Sequence, residues 1–368
     1  VEIVVEELKE RPTLPSLRMI AWEVTRACNL DCIHCRAAAI NEPPPGEFST
    51  DEAKSFLDDV ASFAKPVIIL TGGEPLMRPD IFEIAAYGKR LGLNMVMAPN
   101  GTLVDEEVVR NLLEVGMDRV SISLDGSSSE IHDKFRRVPG AFEGALRGVG
   151  FLKKAGVSFQ INTTVTRHNR HDLANILKLV KELDAAAWHV FLLVPTGRAK
   201  DMKEEEITPA QYEATLNWLY RVQRDEDIFV KPTCAPHYYR IYRQRAQREG
   251  KSVELPHQRY ERMTRGCLGG ISFCFVSHVG EVYPCGYLEL LAGSVREEGF
   301  RKVWESSSLF ADLRDFSKLK GRCGVCEFVK FCGGCRARAF ALTGDYLEEE
   351  PYCVYQPTTL RKSVTKEK

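Results

Sequence analysis

Three cysteines, Cys28, Cys32 and Cys35, follow the run RMIAWEVTRA at Cys-x3-Cys-x2-Cys spacing, with no fourth cysteine close by. Three thiolates can hold three irons of a 4Fe–4S cluster, which leaves one iron open to a non-protein ligand. At an open iron a small molecule can be bound and reduced by one electron. Zinc or buried thiols are the alternatives, but structural zinc usually takes four ligands in pairs, which a lone triplet does not supply. Further on stands Gly72-Gly73-Glu74-Pro75. This is either a bland turn or a place where absent β-carbons let backbone carbonyls approach a ligand ammonium, with Glu74 as countercharge.

The other nine cysteines are not scattered. None occurs between Cys35 and Cys234, and Cys267, Cys274, Cys285, Cys323, Cys326, Cys332, Cys335 and Cys353 crowd together after it. Thiolates holding metal explain such clustering better than disulfides do. Cys323-x2-Cys326 with Cys332-x2-Cys335 also has the spacing of a zinc ribbon. Cys234 stands apart and reads as a buried thiol.

These residues need elements to position them. Short apolar, β-branched runs at 18–25, 66–71, 93–99, 119–125, 158–165 and 187–194 alternate with amphipathic stretches near 50–64, 80–91, 105–116, 140–155 and 171–183. Thr50-Asp51 and Asp105 look like helix caps or first-turn acids. Six strands, each followed by a helix, predict an α/β fold with a parallel sheet, a partial (β/α)6 TIM-like barrel. Chemistry in such barrels sits at the C-terminal strand ends. Here those ends carry Cys28, Gly72-Gly73-Glu74-Pro75, Asn100-Gly101, Ser123 and Asp125, Asn162, and Pro195-Thr196-Gly197.

The expected organisation is a lead over 1–17, the barrel over 18–230, a bridging segment over 231–262, a cysteine-rich domain over 263–357 and a tail over 358–368. The chain has 368 residues, 44% hydrophobic, with a formal net charge of −1, which argues against a nucleic-acid partner. No apolar run is long enough to span a membrane. The start, VEIVVEELKERP, lacks the features of a signal peptide, so a cytoplasmic enzyme is expected.

The triplet together with GGEP resembles the radical S-adenosylmethionine (SAM) enzymes. The resemblance implies that SAM chelates the open iron and that one electron cleaves it to a 5′-deoxyadenosyl radical, which abstracts hydrogen from an unactivated C–H bond. It further implies that Glu74 holds the methionyl amine, that Ser123 and Asn162 lie near the ribose or carboxylate, and that Arg136 contacts the carboxylate. Gly280-x4-Cys285 before the late cysteines and Cys353 behind them look like the SPASM extension, which binds auxiliary 4Fe–4S clusters. Family pairing implies one cluster on Cys323, Cys326, Cys332 and Cys353. It implies another on Cys267, Cys285 and Cys335, with Cys274 as an open fourth. Cys332-x2-Cys335 is one residue shorter than that extension's usual spacing, which leaves one or two auxiliary clusters open.

A narrower resemblance runs over roughly 18–357, in segments such as INTTVTRHN, WHVFLLVPTGR, TCAPHYYR and CGGCRARAFALTGDY. These look like the heme synthases of the siroheme-dependent pathway. The likeness implies oxidative decarboxylation of two propionates of Fe-coproporphyrin III to vinyl groups, giving heme b. Hydrogen is taken from the propionate carbon next to the ring, and an auxiliary cluster takes the leftover electron. A reduced flavodoxin or ferredoxin is the implied donor. Independently, a four-carboxylate substrate needs cations, arginine best of all. Arg240 and Arg243 share a helical stretch with Tyr238 and Tyr239, either as substrate contacts or as a solvated face. His237 beside them is an axial iron ligand or a structural histidine. Three other functions stay open: another tetrapyrrole side-chain enzyme of the heme d1 or didecarboxysiroheme type, a peptide- or sulfatase-modifying SPASM maturase, and a non-catalytic electron carrier. The short lead counts against the maturase, and the open iron against the carrier.

Overall fold

A computed structural model describes residues 16–250 and 266–364. Most of the expected lead, part of the bridging segment and the last tail residues lie outside them. The expected strands all form: β1 (Met19–Glu23), β2 (Val67–Thr71), β3 (Asn94–Met97), β4 (Arg119–Ser123), β5 (Phe159–Val165) and β6 (Trp188–Leu192). They pair in parallel in chain order. A further strand, β7 (Val230–Thr233), continues the parallel sheet beside β6.

The late cysteines do not sit on a separate sheet. Strand β8 (Phe273–Val276) pairs in parallel with β1 on its free side, and β9 (Glu281–Tyr283) and β10 (Gly293–Ser294) extend that edge antiparallel. The order is β10-β9-β8-β1-β2-β3-β4-β5-β6-β7, so β7 and β10 are the edges of one open, curved sheet. The partial barrel and the cysteine-rich segment therefore share one backbone framework. They also share a core. Trp22 on β1 meets Phe56 edge-on at 5.0 Å, and Phe56 meets Phe300 of the late segment at 5.4 Å.

Local chemistry explains the helices. Helix Thr50–Phe63 is capped by Ser49, one residue before the expected Thr50-Asp51. Ser49 Oγ accepts from Glu52 N at 3.2 Å, and Ser49 N donates to Glu52 Oε2 at 2.8 Å. Asp105 caps Glu106–Val115 by accepting from Val108 N. Helix Ser129–Arg136, between β4 and Ala141–Lys154, was not expected from the sequence.

Alternate residues of each strand face opposite ways. The outward rows, such as Ile20 and Trp22, Ile68 and Leu70, Met95 and Met97, are buried in the core. The inward rows mix small or polar residues, Ala21, Thr71, Ala98, Ser121, Ser123, Asn162 and Thr164, with apolar ones such as Met19, Val67, Ile69, Val96 and Phe191, and together they line a cavity. A closed TIM barrel packs this space with bulky branched side chains. Here the sheet stays open between its edges β7 and β10, and the space it encloses is a cavity of about 1430 Å³.

Candidate functional site: a cysteine-walled cavity at the strand ends

The segment after β1 folds back on itself to gather the triplet. Cys28 N donates to Ile40 O at 2.7 Å, and Ile40 N donates to Arg26 O. The three cysteines pack in one small cluster with Leu30, Ala37, Ala39 and Ala141. Each sulfur receives an N–H: Leu30 N reaches Cys28 Sγ at 3.4 Å, Ala39 N reaches Cys35 Sγ at 3.4 Å, and Arg136 Nη1 reaches Cys32 Sγ at 3.5 Å. Burial pushes the Cys28 thiol up to about 12 and raises that of Cys32, so both are protonated until a metal displaces the proton.

Gly72 and Gly73 line the cavity, but their missing β-carbons serve the protein's own packing. A Cβ on Gly72 would stand 2.4 Å from Thr25 O, and one on Gly73 would stand 2.2 Å from Ala27 O. The same edge is sealed by Gly73 N to Thr25 O and Glu74 N to Ala27 O, at 2.8 and 2.7 Å. Pro75 is buried and opens a short turn. The Glu74 side chain does not line the cavity. It is fully buried, with Oε1 accepting from Leu76 N at 3.0 Å and Oε2 from Asn100 N at 2.6 Å. Burial outweighs these two bonds and moves its carboxyl up to about 7. Glu74 thus clamps the ends of β2 and β3. Asn100 passes the tie to Asn29 of the triplet loop at 2.8 Å.

Ser123 and Asn162 are register partners on β4 and β5, and both face the cavity. Arg136 also lines it, but its guanidinium is already engaged by Asp125 and Cys32. Its Nε is buried with no partner. One residue that sequence reasoning missed clamps the loop from the far side. Arg198, just past β6, donates to Cys32 O at 3.0 Å and pairs with Asp31 at 2.7 Å. Its place after the Pro195-Thr196-Gly197 strand end was the available signal.

The late cysteines fall into two groups. Cys267, Cys285 and Cys335 line the same large cavity as the triplet. Cys323, Cys326, Cys332 and Cys353 line a separate small cavity about 30 Å³ in volume. This is the division that family pairing implied, except at Cys274. That residue lies fully buried in the main core on β8, beside Ile20 on β1, and reaches neither cavity. Cys234 instead joins the Cys285 and Cys335 side. Among the described residues, no three histidine, cysteine or carboxylate side chains gather for a single metal ion. A cluster binds each cysteine to a different iron, so its ligands need not converge on one atom.

The residues present fit such clusters. The triplet sulfurs carry N–H donors, and an unpartnered Arg136 Nε faces the same region. In the second group, Cys323 Sγ takes N–H bonds from Glu350 N at 3.4 Å and Arg336 Nη2 at 3.6 Å, and Cys332 Sγ takes one from Gly334 N. Backbone and guanidinium donors of this kind stabilise thiolate charge.

The expected substrate contacts separate. Tyr238, Tyr239 and Arg243 line the large cavity. Arg243 lies over the Phe331 ring at 3.4 Å. Arg240 and His237 do not line it; both border the small cysteine cavity. Arg240 pairs with Glu213 at 2.5 Å. His237 is buried against Tyr212 and stands 3.8 Å from Glu350, which removes it from the position of an axial ligand in the large cavity. The helix His237–Arg248 turns one row of residues to each cavity, and spacing on one helix could not tell the rows apart. Arg36 and Lys231 also line the cavity and went unread in the sequence. Arg36 is held by Glu23 at 2.5 Å over Phe275.

Among the described residues, no helix is long and apolar enough to cross a membrane. Residues 22–180 match the radical SAM superfamily model, and 267–335 match the SPASM iron–sulfur cluster-binding domain. The chain is 55% identical to the AdoMet-dependent heme synthase of Methanosarcina barkeri, over 92% of this chain and 97% of that one. It is 53% identical to the protein of that name from Nitratidesulfovibrio vulgaris, over 93% and 94%. The fold matches Streptococcus suis SuiB bound to S-adenosylmethionine with a TM-score of 0.74, at 16% identity, over 93% of this chain and 78% of that one. The chain belongs to the radical SAM family, in the SPASM-bearing branch that includes the AdoMet-dependent heme synthases, and is a radical SAM oxidoreductase that uses a 4Fe–4S cluster, SAM and one or two auxiliary 4Fe–4S clusters.

Proposed function

We propose that this enzyme converts two propionate groups of Fe-coproporphyrin III to vinyl groups, giving heme b. The observation that carries this reading is the cavity itself, in a chain that shares more than half its residues with a named heme synthase. At about 1430 Å³ it exceeds the roughly 300–1,000 Å³ of common small-molecule sites, which leaves room for SAM and a second large ligand. Each propionate must lose CO2, one hydrogen atom and one electron. Cys28, Cys32 and Cys35 and also Cys267, Cys285 and Cys335 line this one cavity, which supports a hydrogen acceptor and an electron acceptor serving the same bound ring.

When bound at the triplet, the cluster and SAM supply a radical able to take a hydrogen atom from an unactivated C–H bond. The chain's own residues do the rest. Gly72, Gly73, Ser123, Asn162 and Arg136 shape the SAM side. Glu74 holds two strand ends in register beneath it, and Pro75 starts the turn. On the other side Tyr238, Tyr239, Phe191 and Phe275 offer aromatic walls for a flat ring, and Arg36, Lys231 and Arg243 offer positive charge for its carboxylates. A flavodoxin or ferredoxin donor and a cytoplasmic setting complete the proposal.

The test is anaerobic turnover with SAM, a strong reductant and Fe-coproporphyrin III, followed by chromatography and mass spectrometry. Heme b, formed through a monovinyl intermediate, is the expected product. Unchanged tetrapyrrole beside cleaved SAM would sink the substrate assignment and leave the radical chemistry standing.

A further inference from the structure

Cys234 lies just past β7, outside the matched SPASM segment. Its backbone is left-handed, with φ at 55°. That conformation is disfavoured for a residue with a β-carbon. Two buried donors hold it there through the Cys234 carbonyl: Tyr212 Oη at 3.0 Å and Arg338 Nη2 at 3.3 Å. Arg338 also donates to Leu193 O past the end of β6, so it fixes Cys234 relative to the barrel.

This backbone turn places Cys234 at the wall of the large cavity with Cys267, Cys285 and Cys335. Cys234, Cys285 and Cys335 pack in the same cluster, around Val194 and Leu288. Cys274, the other candidate, lies fully buried in the main core beside Ile20 and lines neither cavity.

We propose that Cys234 is the fourth protein ligand of an auxiliary 4Fe–4S cluster held by Cys267, Cys285 and Cys335, and that Cys274 is not a ligand. The proposal rests on the reading that an auxiliary cluster sits at this wall. Binding replaces the S–H bond of Cys234 with an S–Fe bond and releases one proton to solvent. With four cysteines on four irons, no iron is left open to the substrate. Such a cluster serves the cavity as an electron acceptor and not as a substrate-binding metal.

The test uses the full chain carrying Cys28→Ala, Cys32→Ala and Cys35→Ala, reconstituted anaerobically, so that only auxiliary iron is observed. Iron and sulfide content and the electron paramagnetic resonance (EPR) spectrum of the reduced protein are compared before and after Cys234→Ala or Cys274→Ala. Cys234→Ala is expected either to remove one auxiliary signal or to leave it altered and shifted further by cyanide, while the parent signal ignores cyanide and Cys274→Ala changes neither. Persistence of the signal from the Cys323 group shows that the variant is folded. Cys234→Ser, which keeps an oxygen donor, is expected to retain the cluster with an altered spectrum. An unchanged Cys234→Ala spectrum, a parent signal already shifted by cyanide, or loss of the signal in Cys274→Ala overturns the assignment. A parent with no auxiliary iron overturns the cluster reading itself, and its iron count tells that failure from a wrong ligand.

Discussion

The carboxylate of Glu350 accepts a hydrogen bond from Cys335 N at 2.8 Å, while Glu350 N donates to the sulfur of Cys323 at 3.4 Å. One buried residue thus touches both groups of late cysteines. Its charge is held by Arg338 at 3.3 Å, and neither side chain is exposed. Burial pushes the Glu350 carboxyl up, but Arg338 and its N–H donors outweigh this, and the net shift is downward.

Glu350→Ala leaves the Arg338 charge buried and unpaired. Removing one partner of a buried pair costs about 3–5 kcal/mol. We expect a large drop in the denaturant midpoint and loss of order in both auxiliary EPR signals. The double variant Glu350→Leu with Arg338→Met should recover part of the stability. A single variant as stable as the parent would show that the pair is not needed.

Glu74 makes a pH prediction. Its carboxyl is raised from the usual 4.5 to about 7 in the folded chain, mainly by burial. Between those values the folded state binds more protons than the unfolded state. Stability contributed by the protonated group is therefore present below the unfolded value and lost as pH rises towards 7. The shift corresponds to about 3 kcal/mol at most. Thermal unfolding from pH 5.5 to 7.5 should show the parent losing stability relative to Glu74→Gln. Parallel pH profiles would remove the assignment.

Gly73→Ala should disable the triplet without dissolving the late cysteine region. The added methyl would stand 2.2 Å from Ala27 O, so β2 and the triplet loop must part. Overpacking of this kind costs about 1–3 kcal/mol or more. The expected outcome is loss of SAM binding and cleavage, with auxiliary iron retained. Normal SAM affinity in this variant would contradict the close approach.

Arg243 and His237 should behave differently towards the tetrapyrrole. Arg243 lines the large cavity and His237 does not. Losing a charge-assisted contact is worth about 1.5–3 kcal/mol, so Arg243→Ala should weaken Fe-coproporphyrin III binding by about tenfold or more. His237→Ala should leave both the affinity and the iron absorption band unchanged. A shifted band in His237→Ala would restore it as an axial ligand.

Cys28→Ala should abolish SAM cleavage while auxiliary absorbance persists, because the triplet and the late cysteines pack in separate clusters. Retained cleavage would remove the triplet from the site.

The sequence by itself determined the six parallel strands, the order of their helices and the chemistry gathered at their ends. Strand periodicity and cysteine spacing are local properties, and local properties survive without coordinates. It also set the spacing of the three early cysteines, with no fourth cysteine close by in the chain. Only the tertiary structure decided which distant groups meet. It placed β8 beside β1 and so joined the cysteine-rich segment to the barrel sheet. It turned Cys274 into the core and brought Cys234 to the cavity, because strand direction and a left-handed turn aim side chains in ways that spacing does not record. It gave Glu74 two backbone amides and sent His237 and Arg240 to a different cavity from Arg243. The physical reason is common to all of these. A residue's partners are set by which faces pack together, and faces separated by hundreds of residues meet only when the whole sheet is assembled.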